Sequence, residues 1–300
     1  MSRRCGRIFR GLPFVLAVTL AAACGGSEPV SPPMDVDAVE GETSLKLYVF
    51  DCGRLRFDTV ANFSIEDDET DVRELVVPCY IVDHPDGRML WDGGLPSYVA
   101  DTDGWHANAR IGRTTRLDRT FAEQLIELDL GFDLNSLDYM AFSHIHYDHV
   151  GVANEITGAT WLVQQGDYDA AFADPVTVPA VQTELLTNLR DVDRMVLTGD
   201  HDVFGDARVR IISAPGHTPG HQVLFLDLAV TGPLVLSGDL YHFRLSREDR
   251  RVPVFNVDPQ MSLESMEKVE TFVTEQNATF WIEHDLALFE TLRTAPLFYE

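Results

Sequence analysis

Positive charge is scarce in this 300-residue chain. Lys and Arg total 23 against 48 Asp and Glu, for a formal charge of −25, and only Lys46 and Lys268 are lysines. Nucleic-acid affinity comes largely from basic side chains neutralising phosphates, so nucleic acid is excluded as a partner. Cysteine is scarce too, confined to Cys5, Cys24, Cys52 and Cys79. No stretch repeats at solenoid length, and no Gly/Pro/Ser-rich linker interrupts the interior of the chain. What is present is ordinary for a globular protein: 45% apolar and 10% aromatic residues, enough to bury a sizeable core and too much for a disordered or collagenous chain.

The N-terminus carries Arg3, Arg4, Arg7 and Arg10, followed by the uncharged stretch Gly11–Ala23. That is the order of an export signal, and it is shorter than the roughly 20 residues of a membrane span. The segment Leu20-Ala21-Ala22-Ala23-Cys24 resembles a bacterial lipobox, which implies cleavage before Cys24 and lipid attachment to it; plain secretion is the alternative. Residues 1–23 are therefore read as a signal peptide of lipoprotein type, 24–41 as a flexible tether and 42–300 as one domain. Loss of the signal takes the charge from −25 to −29. The protein is expected to be exported, touching a membrane only through that lipid. In an oxidising compartment Cys52 and Cys79 either pair or remain buried thiols.

Past the tether, apolar runs alternate with helical patterns, which predicts an α/β fold. Strands are predicted at Leu45–Phe50, Val76–Val82, Met89–Trp91, Tyr139–Phe142, Thr160–Val163, Val209–Ile212, Gln222–Leu228, Leu234–Leu236 and Thr279–Ile282, with a hairpin at Thr231-Gly232. Helices are predicted at Thr120–Leu130, Pro179–Leu189 and Met261–Gln276, the last with Met261, Met266, Val269, Phe272 and Val273 facing the core. Asp101–Arg119 is polar and aperiodic, and Tyr98, Trp105 and Ile111 are the residues expected to form a lid.

The segment Ser143-His144-Ile145-His146-Tyr147-Asp148-His149 follows a strand and packs three imidazoles and a carboxylate into six positions. Such a nitrogen-and-oxygen set suits zinc or a similar divalent metal. His217 lies in Pro215-Gly216-His217-Thr218-Pro219-Gly220-His221, Asp239 in Ser237-Gly238-Asp239, and His284 in Glu283-His284-Asp285. Each closely follows an apolar run. The same ligand chemistry after four separate strands points to a metal centre. His84, His106 and His201 lack that context.

In this order, His144-x-His146-x-Asp148-His149, His217, Asp239 and His284 resemble the metallo-β-lactamase superfamily. The resemblance implies an αββα sandwich with a dinuclear metal site between its sheets, most simply two Zn²⁺. It implies that His144, His146 and His217 hold one ion, that Asp148, His149 and His284 hold the other, and that Asp239 bridges them. Asp92 and His221 would support the ligands from behind. The carboxylate at the bridging position disfavours β-lactam hydrolysis. The acidic chain disfavours nuclease members, and the short stretch after His284 disfavours glyoxalase II.

Leu47–Gly53, Pro78–Pro85 and Gly238-Asp239-Leu240-Tyr241-His242 are similar to the N-acyl homoserine lactonases. That similarity implies a quorum-quenching hydrolase opening a small neutral lactone with an apolar acyl tail, by attack of a metal-bridging hydroxide. Asp148 or Asp239 would serve the leaving alkoxide. Many members carry a Tyr three residues after the bridging Asp, where this chain has His242 preceded by Tyr241; either is the expected oxyanion donor. An organophosphate triesterase of the same fold and a non-catalytic exported metal-binding lipoprotein are the alternatives, and a homodimer stays open.

Overall fold

In the computed structural model, residues 44–300 are described. The signal, the tether and Cys24 lie outside the described residues.

Eleven residues of strand β1 (Lys46–Arg56) show how the layers arise. Alternate side chains of a strand point to opposite faces, so Leu47 and Val49 enter one core while Tyr48 and Phe50 enter another. The strands β2 (Glu74–His84), β3 (Gly87–Gly93), β4 (His106–Asn108), β5 (Arg113–Arg116), β6 (Tyr139–Ala141), β7 (Thr160–Gln164) and β8 (Arg194–Leu197) complete its sheet, in the order β4-β5-β1-β2-β3-β6-β7-β8. A second sheet holds β9 (His201–Asp202), β10 (Val209–Ser213), β11 (Gln222–Leu228), β12 (Gly232–Leu236) and β13 (Thr279–Trp281), in the order β13-β12-β11-β10-β9. The last strand, β14 (Phe298–Tyr299), pairs with β1.

The inner core, with Leu47, Val49, Trp91 and Leu162 from one sheet and Ile211, Leu224 and Leu236 from the other, lies between the sheets. Helix α1 (Phe121–Leu128) and helix α2 (Gln165–Ala171) cover the outer face of the first sheet. After helix α3 (Arg244–Asp249), helix α4 (Pro259–Gln276) lays Met266, Val269 and Val273 against Ile212, Val223 and Val235 of the second sheet. Helix α5 (Leu286–Phe289) follows β13. The result is the expected αββα sandwich.

Local chemistry sets several boundaries. Thr120 and Glu123 form a reciprocal capping box at the start of α1. Asp258 accepts from Met261 N–H (2.9 Å) with Pro259 in the first turn of α4, and Asn277 ends that helix in the left-handed conformation. Cys52 and Cys79 are joined by a disulfide, with their Cα atoms 5.7 Å apart.

Three expectations are corrected. Pro179–Leu189 is not a helix but two 3₁₀ turns, Thr183–Leu185 and Asn188–Arg190. Asn154 supplies the physical reason: it accepts from Asn188 N–H (2.9 Å) and donates to Glu184 O (2.6 Å), taking backbone groups a helix would have used. Met261 is exposed rather than in the core stripe of α4. Asp101–Arg119 contains the β4–β5 hairpin, which extends the first sheet beyond β1. Among the described residues no helix is long and apolar enough to cross a membrane.

Candidate metal centre

The side chains that carry chemistry arrive at the carboxyl ends of strands, where α/β folds open a crevice. His144, His146, Asp148 and His149 follow β6, His217 follows β10, Asp239 follows β12 and His284 follows β13. The loops can meet because small residues allow it. A Cβ at Gly238, whose φ is +48°, would lie 2.5 Å from Ser143 Cβ and 2.8 Å from His221 Nε2. One at Gly151 would lie 2.3 Å from Gly94 O. Any larger residue there would push the ligand loops apart.

The structure brings all seven candidate ligands together, buried, in two groups. His144, His146, His217 and Asp239 offer atoms within 4.8 Å of one another, and so do Asp148, His149 and His284. Asp239 faces both: Oδ2 is 3.0 Å from His217 Nε2 and 3.5 Å from His144 Nε2, while Oδ1 is 2.9 Å from His284 Nε2 and 3.3 Å from His149 Nε2.

Whether these groups suit a cation is decided by where their protons are. His284 donates Nδ1–H to Val76 O (2.6 Å), which leaves a lone pair on the Nε2 that faces Asp239. His217 donates Nδ1–H to Asn256 Oδ1 (2.9 Å), and Asn256 Nδ2 donates to Ser262 Oγ (2.9 Å), so the amide orientation is set as well. His149 donates Nδ1–H to Asp92 Oδ2 (2.8 Å). Lone pairs therefore converge: His217 Nε2 lies 3.1 Å from His146 Nδ1 and 3.2 Å from His144 Nε2. Asp239 Oδ1 and His149 Nε2 are buried without a hydrogen-bond partner. Acceptors facing acceptors need a positive charge between them, and the donor set fits divalent ions.

The electrostatics agree. Burial, then the neighbouring imidazoles, holds His144 and His146 well below the usual histidine range, so both present neutral nitrogens. Burial pushes Asp239 up, but His242, His284, His149 and His144 outweigh it and keep its carboxylate ionised. Burial likewise pushes His149 and His284 down, yet Asp92 and Asp239 raise His149 and Asp239 raises His284. Protons and a metal ion thus compete for the same nitrogens.

Around the ligands stands a supporting set. Asp92, at φ +55°, also accepts from Ser143 N–H (2.6 Å) and so holds the start of the ligand loop. His221 donates Nδ1–H to Ala214 O (3.0 Å) and accepts from Asp239 N–H (3.0 Å); burial lowers it to about 3, which keeps that acceptor free. Sequence reasoning missed Asn256, Glu283 and Asp167. Glu283 accepts from Trp91 Nε1 (3.0 Å) and Gly238 N–H (2.9 Å), and burial followed by the adjacent Asp92 raises its carboxyl well above the usual range. Asp167 accepts from Thr218 Oγ1 (2.9 Å) and Gly220 N–H (2.7 Å), tying α2 to the loop of His217. A carboxylate directly before His284 was a visible signal for Glu283. Nothing local marked Asn256 or Asp167.

A cavity of about 530 Å³ opens onto His146, Asp148, Asp239, His242 and His284, and Phe57, Phe63, Leu75, Ile111, Val181 and Phe255 give it an apolar wall. His242 lines it with Nε2 2.9 Å from Asp239 Oδ2, held between Phe63 and Phe255 at ring separations of 4.9 and 5.6 Å. Tyr241 does not reach it, and its assignment as oxyanion donor is corrected. Adjacent residues of an extended chain face opposite ways, so Tyr241 packs under α4 with Phe280 and beside Glu270. The lid expectation is corrected in part. Ile111 lines the cavity, whereas Tyr98 lies beneath Arg110 and Trp105 beneath Arg56, at 3.7 and 3.9 Å.

The sequence pattern of the metallo-beta-lactamase superfamily matches residues 72–275. This chain belongs to that superfamily. Within it, the chain is similar to the N-acyl homoserine lactonase AttM of Rhizobium radiobacter, 27% identical over 271 residues that cover 86% of this chain and 99% of the relative. It is also similar to the N-acyl homoserine lactonase AiiA of Bacillus thuringiensis subsp. kurstaki, 25% identical over 260 residues that cover 85% and 98%. Among solved structures, an N-acyl homoserine lactone hydrolase with N-hexanoyl-L-homoserine bound at its catalytic metal centre superposes with a TM-score of 0.71 at 26% identity, covering 86% of this chain and all of that one. A variant of AiiA with N-decanoyl-L-homoserine at its active site gives 0.70 at 25%, with coverage of 86% and 100%.

Proposed function

We propose that this metallo-β-lactamase-fold chain hydrolyses N-acyl homoserine lactones, using two zinc ions. The observation that carries this reading is the cavity that ends on the Asp239-spanned ligand groups: beside Arg110 and Arg113 it offers a neutral, chain-bearing ester an apolar wall of Phe57, Phe63, Leu75, Ile111, Val181 and Phe255 and a polar floor. The likeness to AttM and to the product-bound hydrolase supports it.

His144, His146, His217 and Asp239 would hold one ion, and Asp148, His149, His284 and Asp239 the other; ions held there would supply an activated water near neutral pH and polarise the carbonyl. The chain's own groups do the rest. Phe57, Phe63 and Phe255 exclude bulk water from the acyl side. His242, whose Nε2 faces Asp239 Oδ2 at 2.9 Å, would turn that N–H to the oxygen on which negative charge develops when the ions engage Asp239; burial lowers it, only partly offset by Asp239, so the donor is a neutral imidazole. Asp148 borders the cavity, and its carboxylate would take the proton that the attacking water loses and pass it to the ring oxygen as the C–O bond breaks. Export, with Cys24 as the lipid-bearing residue, belongs to the same proposal, and the Cys52–Cys79 disulfide supports an oxidising compartment.

The test compares kcat/KM for N-hexanoyl homoserine lactone with that for a neutral aryl phosphotriester. The lactone is expected to win by at least about a hundredfold, roughly 2.7 kcal/mol of transition-state preference. A preference for the phosphotriester would overturn the reading.

A further inference from the structure

Glu283 is outside the ligand set, yet it joins three points of the chain that each stand one residue before a group of the centre. Trp91 directly precedes Asp92, Gly238 directly precedes Asp239, and Glu283 itself directly precedes His284. One oxygen, Glu283 Oε1, accepts from both Trp91 Nε1 (3.0 Å) and Gly238 N–H (2.9 Å), while Glu283 N–H donates to Ser237 Oγ (3.2 Å). The side chain is buried, and its carboxyl, the Asp92 carboxylate and a His149 ring nitrogen lie within 4.8 Å of one another. The carboxyl ends of β3, β12 and β13 are thus tied together behind one part of the centre.

What these contacts hold belongs to one ion. Asp92 steadies His149, and His149 and His284 form a ligand group with Asp148. Of the Asp239 oxygens, Oδ1 faces His149 and His284. No hydrogen bond of Glu283 goes to a residue adjoining His144, His146 or His217 in the chain. The bond to Gly238 N–H fixes a turn whose φ of +48° aims Asp239. A purely structural role explains this residue poorly, because two carboxyls buried side by side cost the fold. We propose that Glu283 is a positioning residue that selectively holds the ion of Asp148, His149 and His284, acting through Asp92 and the Asp239 turn, and that the ion of His144, His146 and His217 does not depend on it. This rests on the two-ion reading above and not on the identity of the substrate.

The experiment measures zinc content and zinc affinity by competition with a chelator, with thermal melting of each variant alongside. Glu283→Ala should weaken one ion about 10–100-fold, the usual loss when the support behind a ligating imidazole is removed, and leave the other within about threefold. His284→Ala lacks a ligand of the same ion, so adding Glu283→Ala to it should change the remaining ion by less than about threefold. Glu283→Gln keeps a carbonyl oxygen for Trp91 and Gly238 and should bring both ions to within about threefold of the parent. Trp91→Phe leaves the carboxyl in place and an aromatic ring in the core but removes the indole N–H; it should weaken the same ion at least about threefold, and so tests the contact even if the alanine variant does not fold. The proposal is overturned if Glu283→Ala or Trp91→Phe weakens both ions alike or neither, if the double variant loses both ions, or if Glu283→Gln fails to restore the weakened one. A parent that binds two ions without opening the lactone would sink the lactone reading and leave this one standing.

Discussion

His149 Nδ1 lies 2.8 Å from Asp92 Oδ2, at the end of a strand three places removed in sequence order from the loop it steadies. A carboxylate behind a ligating imidazole fixes both its tautomer and its ring plane, so Asp92 acts on the metal through His149. Asp92→Ala should weaken binding of the second ion about 10–100-fold. Competition with a chelator measures this. Unchanged affinity would show that Asp92 serves only the fold.

Tyr241 and His242 are neighbours in sequence and opposites in space, and that separates their effects. Tyr241→Phe should leave kcat/KM for the lactone within about twofold, because the hydroxyl faces Glu270 away from the cavity. His242→Ala should lower kcat by about 10²–10³, the usual loss for an oxyanion donor. Steady-state kinetics of the two variants check the pair of outcomes.

Asp167 gives stability a pH dependence that can be isolated. Burial raises its carboxyl from 3.8 to about 7, outweighing the hydrogen bonds from Thr218 and Gly220. Between those values the folded protein keeps a proton that the unfolded chain has lost. Unfolding free energy therefore falls as pH rises through this window, by about 4 kcal/mol at most. Asp167→Asn removes the titration. The difference in stability between the variant and the parent should shift in favour of the variant from pH 4 to pH 7 and stay level above it. Denaturant unfolding across that range reads the slope, while any constant offset reports only the lost hydrogen bonds.

Much of this centre was legible because its ligands sit where two local signals coincide. An apolar run closely followed by His or Asp marks both a strand end and a metal ligand, and that holds at His144, His217, Asp239 and His284, with a glycine directly before His217 and Asp239. The direction in which a side chain leaves a turn is not a local signal. In Gly238–Leu240 it decides between Tyr241 and His242, and it depends on the contact of Gly238 with Ser143 and His221. Pro179–Leu189 carried a helical pattern, but Asn154, distant in sequence, claimed its backbone groups. Asn256 and Asp167 act through partners that only the folded chain brings near. The paired strands β4 and β5 escaped notice because three or four residues are too few to display a period.

Seven buried ligands should hold two ions, and the lactone reaction should require both. The direct measurement is metal content per chain alongside N-hexanoyl homoserine lactone hydrolysis, for the chelator-stripped protein before and after zinc is returned. The stripped protein should be inactive, and activity should return as the content rises to two ions per chain, with Asp239→Asn falling short on both. Full activity of the stripped protein, or two ions bound without any lactone hydrolysis, would contradict it.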